Sequence, residues 1–168
     1  DVTIEGTFAV NNYTITYMVD GEVYATETVA YGSEIALIEA PTKEGHTFSG
    51  WSEAPATMPA NDVTIEGSFT VNTYSIIYKV DGEEYKVVPV VYGSDIVVIE
   101  APVKEGHTFS GWSEEPATMP AEDVVVEGTF AVNYYTVTYI VDGEIYATES
   151  VAYGSEITLI EEPTKEGH

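Results

Sequence analysis

The 168-residue chain contains no cysteine, which excludes disulfides, thiolate metal sites and cysteine nucleophiles. It contains no arginine either. The five basic residues are Lys43, Lys79, Lys86, Lys104 and Lys165, set against 29 acidic ones for a formal net charge of −24. Without the bidentate guanidinium fork, and with a field that repels polyanions, the chain is not expected to bind nucleic acid. Anionic membrane surfaces are disfavoured for the same reason. No apolar run approaches ~18 residues, so no membrane insertion is expected in this segment. No signal or anchor sequence is visible; the chain starts and stops inside a repeating pattern, and targeting segments of a longer parent are expected to lie outside it.

Acidic chains that lack a core are also poor in aromatic and β-branched residues. This one is 44% hydrophobic and carries 13 tyrosines, 5 phenylalanines and 2 tryptophans, so it is expected to fold.

Internal repetition is the dominant feature. Asp1-Val2-Thr3-Ile4-Glu5-Gly6 returns at Asp62 to Gly67 and, with substitutions, at Asp123 to Gly128, a period of 61 residues without a gap. Residues 1–61 and 62–122 are identical at 43 of 61 positions, and the shorter third copy, 123–168, matches the first at 37 of 46. Substitutions grade the positions. Met18, Lys79 and Ile140 are equivalent, as are Ala25, Lys86 and Ala147, and positions accepting both lysine and an apolar side chain are expected on the surface. Tyr17, Val19, Tyr24, Tyr31 and Ile38 do not change between copies and are the better core candidates.

Apolar residues occupy even positions in Val2, Ile4, Phe8 and Val10, then odd positions in Tyr13, Ile15, Tyr17 and Val19. Because one face of a strand has period two, this switch at Asn11-Asn12 separates two strands that bury opposite phases. It recurs at Asn72-Thr73 and Asn133-Tyr134. The resulting division has residues 1–12 as the closing strand of a preceding repeat, 13–73 as module 1, 74–134 as module 2 and 135–168 as a partial module 3. Junctions of about two residues are too short to be floppy linkers.

Within a module, Tyr13 to Val19 alternates as a strand. Asp20-Gly21 is a strong signal for a type I′ hairpin, which pairs Val19 with Glu22 and Tyr17 with Tyr24. The second strand is predicted to reach about Val29, with a β-bulge between Tyr24 and Val29 where the apolar phase shifts. Ile35 to Ile38 reads as a short strand or one helical turn capped by Ser33. Lys43-Glu44-Gly45 is a turn, and His46 to Trp51 a strand with His46 and Phe48 on one face. Pro55 and Pro59 bracket a loop. Asp62 to Val71 closes the module, interrupted by Gly67 as a bulge or a point of close approach. The predicted fold is mainly β, α+β at most: tandem small modules of four to five strands each.

The order Tyr13-x-Ile15-x-Tyr17, Asp20-Gly21, Val29-x-Tyr31-Gly32 and Pro41-x-Lys43-Glu44-Gly45-His46-x-Phe48-x-Gly50-Trp51 resembles the Listeria–Bacteroides repeat, related to the B repeat of internalin-type surface proteins. The second copy carries these elements at Tyr74, Asp81-Gly82, Tyr92-Gly93 and Pro102 to Trp112; the third reaches His168. The resemblance covers essentially the whole chain. It implies β-grasp-like modules of secreted bacterial proteins, without catalytic residues, displayed in tandem at the cell surface for spacing or adhesion. His46, His107 and His168 stand where the family usually has tyrosine, which points to packing.

The three histidines lie one per repeat, and neither a His-x-His nor a His-Glu-x-x-His pattern occurs, so packing is favoured over metal binding. Asp20-Gly21-Glu22 lacks the twelve-residue ligand spacing of a calcium loop. Glu114-Glu115 and Glu161-Glu162 are adjacent, so on a strand they point to opposite faces and make a poor glycosidase dyad. Ser33, Ser94 and Ser155 follow a glycine without a nucleophile elbow around them. Lys43, Lys104 and Lys165 recur in a turn where exposure is the default, which disfavours an intramolecular cross-link. Trp51 and Trp112 are the credible platforms for a ligand, although a tryptophan in each small module is commonly a core anchor.

The expectation is therefore a non-catalytic segment with no cofactor and no metal site, extracellular on a bacterial surface by resemblance, acting as a semi-rigid stalk or adhesion module. The alternative is a module binding a host or neighbouring-cell protein or glycan through Trp51 and Trp112. End-to-end self-association through the incomplete terminal repeats is also expected.

Overall fold

Alternating segments become strands where another segment supplies a hydrogen-bond ladder, and the computed structural model, which describes residues 1–164, shows where that happens. The first repeat contains β1 (Asn12–Val19), β2 (Glu22–Ala30), β3 (His46–Phe48), β4 (Val63–Gly67) and β5 (Phe69–Val71). The second contains β6 (Thr73–Val80), β7 (Glu83–Val91), β8 (His107–Phe109), β9 (Val124–Gly128) and β10 (Phe130–Val132). The third opens with β11 (Tyr134–Val141) and β12 (Glu144–Ala152). All regular elements among the described residues are strands, so the mainly β, tandem architecture is the one adopted, with five strands per full repeat. Ile35 to Ile38 is neither strand nor helical turn; it is irregular chain fastened by one bridge, Glu34 to Thr57.

By contacts the chain divides into two compact units. The first comprises Asp1–Tyr74 with Val90–Ser94 and Thr118–Glu122; the second comprises Ser75–Pro89, Asp95–Ala117 and the chain from Asp123 onward.

The hairpin between β1 and β2 follows from local chemistry. Asp20 and Gly21 take φ values of 51° and 83°, the pair of positive angles a type I′ turn requires. Val19 faces Glu22 as predicted, but Tyr17 faces Ala25 instead of Tyr24. The register jumps between Tyr17 and Met18, so Tyr24 is the extra residue of a bulge lying nearer the turn than the apolar phase suggested. The bulge turns Ala25 and Val29 toward the core and leaves Tyr24 53% exposed. Position 25 is thus half-buried where it holds alanine, although its equivalent Lys86 is exposed.

The closing segment splits at Ser68. Its first half, β4, pairs parallel with β1, Ile15 opposite Val63 through Val19 opposite Gly67. Its second half, β5, pairs antiparallel with β3, His46 opposite Val71 and Phe48 opposite Phe69. The main sheet has the order β2-β1-β4, and the second repeat repeats it as β7-β6-β9. Gly67 is the predicted close approach: a Cβ there would fall 2.3 Å from the Phe48 ring.

Ile15, Tyr17, Met58 and Ile65 form the buried centre of the first repeat, with Ile38, Trp51 and Val63 packed against it. The equivalent Ile76, Tyr78, Met119 and Val126 are buried in the second. Met58 comes from the proline-bracketed loop, which the pattern of the sequence did not mark as core. Tyr31, predicted inside, is 58% exposed. Residues 1–11 form no strand, and Ile4 and Phe8 are fully open to solvent. Their equivalents become β4 and β5 by pairing with β1 and β3, whereas residues 1–10 meet no ladder partner among the described residues; the Asn11 carbonyl accepts from Tyr31 N–H at 2.9 Å, where the β1–β2 hairpin begins.

One buried polar position distinguishes the repeats. The Tyr17 hydroxyl donates to Glu27 at 3.1 Å, and that of Tyr139 to Glu149 at 2.7 Å. In the second repeat the acceptor position holds Val88, and the buried Tyr78 hydroxyl has no hydrogen-bond partner among the described residues. Losing a satisfied bond costs about 1–2 kcal/mol, whereas removing a buried hydroxyl that makes none is neutral or stabilising. Tyr17→Phe should therefore lower the urea midpoint while Tyr78→Phe should hold or raise it; equal losses in both would refute this account.

Burial, reinforced by the hydrogen bond to Glu27, raises the Tyr17 phenol above its ordinary 10.0. As pH climbs past that value the unfolded chain loses the proton first, so this contribution to stability is complete below pH 10.0 and lost as pH rises through the raised folded value. Alkaline denaturation curves should show a shallower decline for Tyr17→Phe than for the parent.

Candidate functional site

Each full repeat passes into the next through one asparagine. In the first unit, Asn72 separates β5 from β6, and the inward phase changes from Val63, Ile65 and Phe69 to Tyr74, Ile76 and Tyr78 across it. Its backbone and side chain are committed in four directions. The N–H donates to the Gly45 carbonyl at 2.8 Å, and the carbonyl accepts from Tyr92 N–H at 2.9 Å. Oδ1 accepts from the Thr47 hydroxyl at 2.7 Å, and Nδ2 donates to the Tyr74 hydroxyl at 3.3 Å.

Around Asn72 the Lys43-Glu44-Gly45-His46 turn of one repeat receives Tyr92 of the next. Gly45 is buried with φ of 66°. The Tyr92 ring lies so close over it that an added Cβ would sit 2.2 Å from the ring. A side chain is therefore barred twice, by the left-handed backbone and by the space. The His46 ring meets Tyr92 and Phe69 edge to face, with centroids 5.8 and 6.2 Å away. Its Nδ1 donates to the Glu44 carbonyl at 2.7 Å, which fixes the ring in place. Lys43 extends its ammonium over Phe69 at 5.6 Å. His46 is thus a packing residue of a joint.

The second unit builds the same joint from Gly106, Asn133 and Tyr153. Gly106 has φ of 70°, and an added Cβ would fall 2.0 Å from the Tyr153 ring. Asn133 donates to the Gly106 carbonyl and accepts from Tyr153 N–H, both at 2.8 Å, while Oδ1 accepts from Thr108 at 2.6 Å. Lys104 lies over Phe130 at 5.4 Å and 3.9 Å from Asp81. Lys165 and His168 lie outside the described residues. The joint could have been suspected from three sequence facts: an invariant Tyr31/Tyr92/Tyr153, an invariant glycine before the histidine, and a phase switch at asparagine. What sequence did not disclose is that tyrosine and glycine from successive copies meet.

Trp51 and Trp112 take a second position. Each indole N–H donates at 3.1 Å to a backbone carbonyl of its own repeat, that of Ile38 or Ile99. Trp51 is half-buried, with Tyr17 and Phe48 edge to face at 5.1 and 5.0 Å; Trp112 repeats this with Tyr78 and Phe109 at 5.0 and 4.9 Å. Trp51 also borders an open groove of about 650 Å³ with Met18, Asp20, Ser49, Ser52 and Glu66 along it. Several of its polar atoms are already engaged. Ser52 Oγ accepts from Glu66 N–H at 3.0 Å, Ser49 Oγ from Ser68 N–H at 3.0 Å, and Asp20 Oδ1 from Phe69 N–H at 2.9 Å. Among the described residues no group of three or more histidine and acidic side chains is placed to hold a metal ion.

The Listeria-Bacteroides repeat domain matches residues 13–72, 74–125 and 135–168. Internalin H of Listeria monocytogenes is 33% identical over 141 residues, covering 72% of this chain and 25% of that protein. A protein of Evansella cellulosilytica named "Putative membrane protein" is 30% identical over 190 residues, covering 99% of this chain and 28% of that protein. The chain therefore spans less than a third of the length of these curated relatives. Among solved structures, domains 3–4 of the Streptococcal High Identity Repeats in Tandem of a cell surface protein align over 70% of this chain and 96% of theirs, at 18% identity and a TM-score of 0.28. With three matches of one family model spread along nearly its whole length, the chain belongs to the Listeria-Bacteroides repeat domain family.

Proposed function

We propose that this chain is a non-catalytic segment of a bacterial cell-surface protein, in which the repeats act as a semi-rigid stalk or adhesion module held outside the cell. The joint carries this reading. A single residue links successive repeats, its hydrogen bonds reach both of them, and a tyrosine of the following repeat covers a glycine of the preceding one. Freedom at such a connection is limited by sterics and by saturated backbone groups instead of being granted by a linker. The net charge of −24 favours solubility and discourages side-by-side sticking of copies. Similarity to an internalin supports placement at the surface.

The second reading is contact with a host or neighbouring-cell protein or glycan at Trp51 and Trp112, favoured by the open groove beside Trp51. Titration of the full chain against glycan and host-protein panels separates the two: saturable binding abolished by Trp51→Ala and Trp112→Ala together supports contact, and its absence leaves the stalk.

Two measurements test the stalk. Spin labels at the exposed Thr26 and Val87 should give one narrow distance distribution, which Gly45→Ala should broaden, since alanine at positive φ costs about 1–2 kcal/mol before the clash with Tyr92. A broad distribution in the parent chain would defeat the semi-rigid reading. Protease treatment of intact producing cells should release fragments of these repeats; release only after lysis would remove the surface placement.

A further inference from the structure

β1 and β4 are the entry and exit strands of a repeat, they are neighbours in the sheet, and they run parallel. The chain enters at Asn12, the first residue of β1, and leaves through β4 and β5 to Asn72. Tension carried along the backbone thus draws β1 toward its own N-terminus and β4 toward its own C-terminus. For parallel neighbours these pulls are opposed along one axis. The ladder from Ile15/Val63 to Val19/Gly67 is then loaded in shear, and its bonds share the load instead of opening one after another from an end.

Two carboxylates close the ends of this ladder. Asp62 Oδ1 accepts from Thr14 N–H at 2.7 Å where β1 begins. At the other end Asp20 Oδ1 accepts from Phe69 N–H at 2.9 Å, and Asp20 N–H donates to the Gly67 carbonyl at 3.1 Å. The second repeat keeps all three bonds: Ser75 to Asp123 at 2.7 Å, Phe130 to Asp81 at 2.9 Å, and Asp81 to the Gly128 carbonyl at 3.0 Å. Sliding is also opposed by the core. Ile15 and Tyr17 on β1 and Ile65 on β4 are fully buried, and a slip of one residue turns every side chain to the opposite face.

We infer that each full repeat is a force-bearing module, in which the β1–β4 ladder, and β6–β9 in the second repeat, is a clamp that resists stretching applied through the chain. Its biological setting rests on the stalk reading above. The mechanical test needs only the chain itself, so failure of surface placement and failure of the clamp are separate results.

Absence of cysteine allows pulling points to be chosen by substitution. Single molecules of the full chain, held by handles at the two ends, should unfold in two steps, each releasing about 200 Å of contour for a 61-residue period. A second attachment through Asn11→Cys and Ser33→Cys pulls β1 and β2 from the same end of their hairpin and opens the sheet by peeling. The clamp requires the end-to-end steps to need severalfold more force than this peeling. It also requires Asp62→Ala with Asp123→Ala to lower the end-to-end force while circular dichroism at rest is unchanged. Equal forces in the two geometries, or an end-to-end force unaffected by the double variant despite an intact fold, would overturn it.

Discussion

The parallel pairing of β1 with β4 is the constraint on which the rest of a repeat depends. It joins segments almost fifty residues apart, places Ile15, Tyr17 and Ile65 around one interior, and forces the intervening chain to cover it. Met58 drops in from the proline-bracketed loop, and Trp51 closes the side with its indole tied to the Ile38 carbonyl. The Asp20-Gly21 turn serves this pairing twice. Its positive φ angles reverse the chain, and the Asp20 carboxylate caps the point where β4 gives way to β5. One aspartate thus ties a local turn to a distant strand break.

That break at Ser68 divides the closing segment between two jobs. β4 completes the sheet over the core, while β5 pairs with β3 and brings Phe69 beside Phe48 and His46. The aromatic group so formed is the floor of the joint, over which the next repeat lays its tyrosine. Core and joint are therefore consecutive parts of one closing segment, and the chain repeats both at 61-residue intervals. Nearest-neighbour coupling of this kind is what makes repeat arrays sums of unit and interface terms.

Electrostatics contributes little attraction to this arrangement. The one ion pair found among the described residues, Lys104 with Asp81 at 3.9 Å, is exposed, and such pairs add little. Stability rests on apolar burial, on backbone ladders and on carboxylates accepting backbone N–H groups. Most of the acidic residues are exposed, where their excess opposes side-by-side sticking of like chains.

The sequence by itself determined the features whose causes are local: the period, the β class, the type I′ turn at Asp20-Gly21, the phase switch at Asn72 and the tight approach at Gly67. Each follows from φ restrictions or two-residue alternation within a few positions. Tertiary structure decided what depends on a distant partner. It placed the bulge at Tyr24, because the register of β1 against β2 must present Ala25 to Tyr17. It left residues 1–10 without a ladder among the described residues where alternation alone suggested a strand, since a strand requires one. It sent the invariant Tyr92 outward to cover Gly45, a choice invisible in one repeat because its reason lies in the preceding one. An unchanging aromatic reads as core in a lone module, and only the packing of one module on another distinguishes an interior from a joint.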